Sequence, residues 1–165
     1  MTKLVRLVIL RIICLPSDII AHAIVLAVHA LWGQRLIFSN GILCTELDAN
    51  SWPSRTWYRE WGATTFGHAV MFANGFLDNV KTFQHELVHV EQFESASVQA
   101  LFIAGAFWSL GAPRLAIALL MINAFLNYAA SVITAILRGE ASGYRGSHLE
   151  EAAYKKEVGE SEVDK

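Results

Sequence analysis

The chain has 165 residues, a formal net charge of −2, 54% apolar residues and 17% charged residues. That length suits one domain and not comfortably two. The charge balance suggests no polybasic surface, so no nucleic acid is expected as partner, and so small a charged fraction points toward lipid.

The first segment, residues 1–32, is dominated by apolar side chains, with Lys3, Arg6 and Arg11 near its start. Ile12 to Trp32 carries a single formal charge, Asp18, and is long enough to cross a bilayer. It has no small-residue cleavage box, so a retained membrane anchor is expected. Asp18, His22 and His29 fall within about 40° on a helical wheel. Such a stripe either packs against other elements or lines a water path, and packing is the favoured reading. Cys14 and Cys44 form no paired motif and are expected to be packing residues.

Residues 33–94 are mixed. "RLIFSNGILCTEL" predicts a β-hairpin turning at Asn40-Gly41. The irregular stretch that follows holds Trp52, Trp57, Tyr58 and Trp61, and reads equally as a loop at the membrane interface or as an aromatic mini-core. "TTFGHAVMF" predicts one strand, and Asn74-Gly75 a turn. Asp78 or Asn79 then caps a helix carrying "TFQHELVHVEQFE".

Residues 95–137 contain one charge, Arg114, and Pro113-Arg114 divides them into Ala96–Ala112 and Leu115–Leu137. An apolar helical hairpin is expected, its second arm a full span and its first a short span or re-entrant segment. Asn123 and Asn127, with Ser131 and Thr134 nearby, suit hydrogen bonding between helices. Residues 138–165 are expected to form a last helix, carrying the third-ligand candidates, and an acidic tail. The expected fold is therefore α+β, mainly α: integral-membrane helices (anchor plus hairpin), a small β-sheet and an HExxH helix in one domain. Lys3, Arg6, Arg11 and Arg114 fall on one side of such an arrangement, so the segment bearing the motif is expected to face away from the cytoplasm.

The motif carries the chemistry. On a helix, His85 and His89 leave one face a turn apart and can reach one Zn²⁺ at ~2.0–2.1 Å. Glu86 is rotated by about 100° and is free to take a proton from a water activated by the metal. Gln92 shares the ligand face and is suited to orienting a ligand or touching substrate. The bland reading is a helix whose histidines are merely hydrogen-bonded. A catalytic zinc needs a third protein ligand, and Glu140, His148, Glu150 and Glu151 are the downstream candidates. "SHLEEAAYKKE" also reads as a helix start, with Ser147 and Glu150 as a capping box. Two apolar crossings between His89 and Glu150 would return both to one compartment. His68, His148 and Tyr154 are each candidate donors to a tetrahedral intermediate.

An HExxH helix followed by a later glutamate resembles the gluzincin metallopeptidases. The interposed apolar hairpin is similar to the integral-membrane peptidases of the heat-shock and prenyl-protein-processing type. A nearer likeness is to small uncharacterised bacterial membrane-associated proteins with a T-x-G-H strand, an H-E-x-x-H-V-x-Q helix and a late Y-R-x-N-P-x-E-x-x-A-Y segment. The matching stretches here are Thr65–His68, His85–Gln92 and Tyr144–Tyr154, within a likeness running from Trp61 to Tyr154. The chain departs at Ser147-His148, where the pattern has Asn-Pro. The resemblance implies Glu150 as third ligand, with Glu151 the alternative, and Ala153 leaving room beside the metal helix. That nearer likeness supplies a site and no substrate; the gluzincin resemblance implies one Zn²⁺ per chain and a peptide or protein substrate, and the expected location is a bacterial inner membrane. The competing expectations are a membrane protein with a structural or regulatory zinc and no turnover, and a packing module without metal.

Overall fold

The computed structural model describes residues 3–59, 62–137, 149–150 and 153–154. Helix α1 (Lys3–Trp32) leads directly into strands β1 (Gly33–Ser39) and β2 (Ile42–Leu47). A short helix α2 (Trp52–Arg55) and a 3₁₀ turn (Trp57–Arg59) follow, then β3 (Ala63–Phe66) and β4 (Ala69–Phe72). Two long helices, α3 (Val80–Ser109) and α4 (Pro113–Leu137), complete the regular structure. The chain is thus α+β and mainly helical, with a mixed four-stranded sheet ordered β1-β2-β4-β3.

The first hairpin forms as expected. Asn40 and Gly41 sit at φ 52° and 78°, the left-handed pair that a two-residue turn needs to match strand twist. "TTFGHAVMF" departs from expectation, because it makes two antiparallel strands rather than one. Gly67, at φ 57°, reverses the chain, and the Asp18 carboxylate holds the turn by accepting the His68 backbone N–H at 3.0 Å. A Cβ on Gly67 would lie 2.6 Å from Asp18 Oδ1 and 3.1 Å from the Phe93 ring, whereas one on Gly75 (φ 80°) would meet nothing. Gly67→Ala is therefore expected to cost more than the ~1–2 kcal/mol of a left-handed alanine. Gly75→Ala should show the backbone cost alone. Thermal unfolding checks this: Gly67→Ala should lose several degrees more than Gly75→Ala, and equal losses would sink the account.

Each face of the sheet is covered by a helix. Ala21, Val25, Val28 and Trp32 of α1 pack on Leu43, Leu47, Ala69 and Met71. Phe83, Leu87 and Val90 of α3 pack on the opposite face, against Ile42, Cys44, Val70 and Phe72. Strand β2 is buried at every position because it has no solvent face. Val8–Trp32 is long and apolar enough to cross a membrane by length and composition, yet its second half is a layer of the fold.

The expected boundary at residues 94/95 is absent. Helix α3 runs unbroken from the motif into the apolar zone, because neither proline nor glycine interrupts it before Gly105. Asn79 caps it, accepting from the Thr82 N–H at 3.2 Å. It ends where Gly111 takes φ 77° and Pro113 opens α4. Where α1, α3 and α4 meet, Ser17 donates toward Asn123 Oδ1 (2.7 Å) and the Leu120 carbonyl (2.5 Å), and Asn123 donates to Ser97 at 3.1 Å. That is the interhelical bonding expected of Asn123. Trp32, Trp52 and Trp57 form a run of ring contacts, with centroids 6.3 and 4.8 Å apart, at the sheet end of α1. Trp61 lies outside the described residues.

Candidate metal centre

Helix α3 is amphipathic in an unusual sense around the motif. Leu87 and Val90 go to the sheet, and the turn-spaced His85, His89 and Gln92 line another face. The carboxylate of Glu150 meets that face. His85 Nε2 and His89 Nε2 are 3.2 Å apart, and the Glu150 oxygens lie 3.3 Å from the first and 3.4 Å from the second. Donors bound at ~2.0–2.1 Å to a tetrahedral Zn²⁺ stand roughly 3.3 Å from one another, and each imidazole faces its own Glu150 oxygen at about that spacing, Oε2 for His85 and Oε1 for His89, so the three side chains suit such an ion in their chemistry. Among the described residues they are the one group of three able to share a metal ion. The pairing expected of Glu150 with the two histidines is therefore present.

Burial sets the electrostatics. It pushes the Glu150 carboxyl up, but hydrogen bonds and charge from His85 and His89 outweigh it and hold the group at about 2. Burial pulls His89 down, and its bond to Glu150 with the charges of Glu86 and Glu150 reverses that, leaving it raised. Glu86, 5% exposed, is shifted the other way from Glu150. Desolvation raises it, against the lowering effects of His89, Thr65 and His85. Thr65 on edge strand β3 donates to Glu86 Oε2 at 2.6 Å, which fixes one carboxylate oxygen. The Tyr154 ring lies 4.7 Å from that of His85, at the rim of the cluster. Burial pushes the nearby Tyr58 phenol up to about 12, with a hydrogen bond to Thr64 opposing and Glu86 adding to the rise.

Gln92 touches two partners at once. Its amide N–H donates to the Leu149 carbonyl at 2.8 Å, and its Oε1 lies 2.9 Å from His89 Nδ1. His148, Glu151, Glu140 and the Ser147 cap fall outside the described residues.

His68 is not part of this cluster, which corrects its expected role as a donor to an intermediate. It is fully buried, with Nδ1 2.7 Å from Asp18 Oδ2 and Nε2 3.2 Å from Glu94 Oε1. Bridging both contacts requires two protons shared among the three groups, and neither ring nitrogen is left for another partner. The Asp18–His22–His29 stripe likewise disperses. His22 Nδ1 contacts the Asp18 carbonyl one turn back at 2.7 Å, and His29 Nδ1 contacts Thr45 Oγ1 at 2.9 Å. These are packing contacts to helix and sheet.

Two contributions escaped sequence reasoning. Thr65 was visible only as part of the T-x-G-H strand, without its bond to Glu86. The Asp18–His68–Glu94 arrangement joins residues far apart in the chain, and no local signal connects them. Compared with protein-family models, curated proteins and solved structures, the chain matches none.

Proposed function

We propose that the chain is a membrane-anchored zinc metallopeptidase of the gluzincin type. The observation that carries the reading is the cluster of His85, His89 and Glu150, the two Nε2 atoms 3.2 Å apart with Glu150 Oε2 3.3 Å from His85 and Glu150 Oε1 3.4 Å from His89, with Glu86 beside it on the same helix. His85, His89 and Glu150 would hold the Zn²⁺, and the ion would supply Lewis acidity to a water and to the substrate carbonyl. Glu86 takes the proton. Burial raises its carboxyl above the ordinary carboxylate value, which strengthens it as a base, and Thr65 keeps one oxygen occupied while the other receives the proton. Strand β3 lies at the edge of the sheet, next to Glu86, and suits pairing with an extended peptide. Tyr154 is the donor best sited to meet charge developing on the substrate oxygen.

The membrane component rests on the surface. Ile12, Leu15 and Ile19 of α1, Phe102 and Trp108 of α3, and Leu115, Ile117 and Leu126 of α4 are all exposed. So many large apolar groups on three adjoining helices suit hydrocarbon better than water. Helix α3 then acts as a ruler. From His89 to its cap at Leu110 the path is roughly 32 Å, close to the ~30 Å hydrocarbon thickness. This supports cleavage at the membrane boundary, on the side opposite Arg114 and away from the cytoplasm.

A structural or regulatory zinc site without turnover is the second reading. It is favoured by how closed the cluster is, with Glu150 only 1% exposed. Elemental analysis of the purified protein tests what the two share: one zinc per chain is expected. Protein isolated without stoichiometric metal, and unable to take it up, would falsify both.

A further inference from the structure

We infer that Gln92 is a positioning residue that sets the tautomer of His89 and at the same time ties the metal helix to the segment carrying Glu150; the inference rests on the metal reading above.

The argument begins at a carbonyl. The Leu149 C=O can only accept, so the Gln92 atom 2.8 Å from it must be the amide nitrogen. That fixes the amide orientation. Gln92 Oε1 then faces His89 Nδ1 at 2.9 Å. Two acceptors cannot share that contact, so Nδ1 carries the hydrogen. In a neutral His89 the lone pair is consequently on Nε2, the atom that faces His85 Nε2 and Glu150 Oε1. An imidazole ligating through Nε2 with Nδ1–H held by an acceptor is the arrangement that raises ligand basicity and locks ring orientation.

The second contact acts on the third donor. Leu149 immediately precedes Glu150, so the bond holds the backbone next to the carboxylate against α3. Within the sequence Gln92 and Leu149 are separated by the whole apolar hairpin. A single amide therefore reports on both halves of the site: acceptor for a ligand on one helix, donor to the chain bearing another. Glutamate at this position could reproduce only the first function. It accepts from Nδ1–H but has no hydrogen for a carbonyl. Leucine reproduces neither.

The test uses the full chain in detergent or nanodiscs and has two readouts besides activity. Zinc affinity is measured by competition with a chromophoric chelator, and the His89 Nδ1–H is followed by ¹⁵N NMR in the metal-free protein. Gln92→Leu is expected to weaken zinc binding about 10- to 100-fold and to lose the Nδ1–H tautomer signature. Gln92→Glu should keep that signature and still bind zinc more weakly than wild type, with the Leu149 contact gone. The metal-free unfolding temperature of each variant separates a local effect from loss of fold. If wild type binds zinc and Gln92→Leu binds it equally well, the inference fails and the metal reading stands. If the signature survives in Gln92→Leu, the tautomer assignment fails. A folded wild type that takes up no zinc overturns the metal reading, and the inference with it.

Discussion

Glu86→Gln is expected to retain one zinc per chain and to lower peptide hydrolysis by about 10³-fold, within the range set by loss of a general base. Glutamine has nearly the same shape as glutamate, and its carbonyl oxygen can still accept the Thr65 hydroxyl that now lies 2.6 Å from Oε2. None of the three donors of the candidate centre is altered. What disappears is the ability to accept a proton at a site where burial raises the carboxyl from its ordinary value. Metal binding and turnover should therefore separate. The assay is cleavage of a quenched fluorescent peptide library by detergent-solubilised protein, with zinc measured on the same sample. Undiminished turnover in Glu86→Gln would remove Glu86 from the mechanism. A wild type that holds zinc and cleaves nothing, whatever library is offered, favours the structural site.

The parts of this molecule that could be read from sequence are those decided by neighbours in the chain. Asn40-Gly41 declares a tight hairpin because both residues tolerate positive φ, and Asn79 declares a helix start because its side chain reaches a backbone N–H three residues on. The HExxH spacing likewise puts two imidazoles on one face. What could not be read was decided at a distance. The turn dividing β3 from β4 is secured by Asp18, fifty residues upstream in the chain. The fate of α1 was hidden for another reason: an apolar face looks the same in sequence whether lipid or a β-sheet covers it. Ala21 and Val25 are buried against strands, while Ile12 and Leu15 are exposed, yet all four are simply hydrophobic. His68 shows the same limit for chemistry. Its residue type made it a candidate for the site, but its two carboxylate partners come from α1 and the middle of α3. Glu150 was indicated by resemblance and by the parity of crossings; its distance from the histidines follows only from the fold.

Glu150→Gln is the substitution that tests that fold-level assignment most directly, and it is expected to weaken zinc binding by more than about 100-fold. Removing an outer-shell partner of a metal ligand typically costs 10- to 100-fold, and loss of a charged ligand should exceed it. The carboxylate is well suited to this role, because the histidine contacts hold it at about 2 and thus anionic across the physiological range. An amide oxygen in its place is neutral and a poorer partner for a divalent cation in a desolvated site. The fold has less reason to change. An amide offers both a donor and an acceptor to the two imidazoles now 3.3 and 3.4 Å from the carboxylate, and its volume matches. Circular dichroism should therefore be preserved in the variant while chelator competition shows the metal lost. Glu151→Gln serves as the comparison. Wild-type affinity in Glu150→Gln together with lost affinity in Glu151→Gln would transfer the third ligand to Glu151. Unchanged affinity in both would mean that the two histidines do not share their metal with either glutamate, and the gluzincin reading would fall.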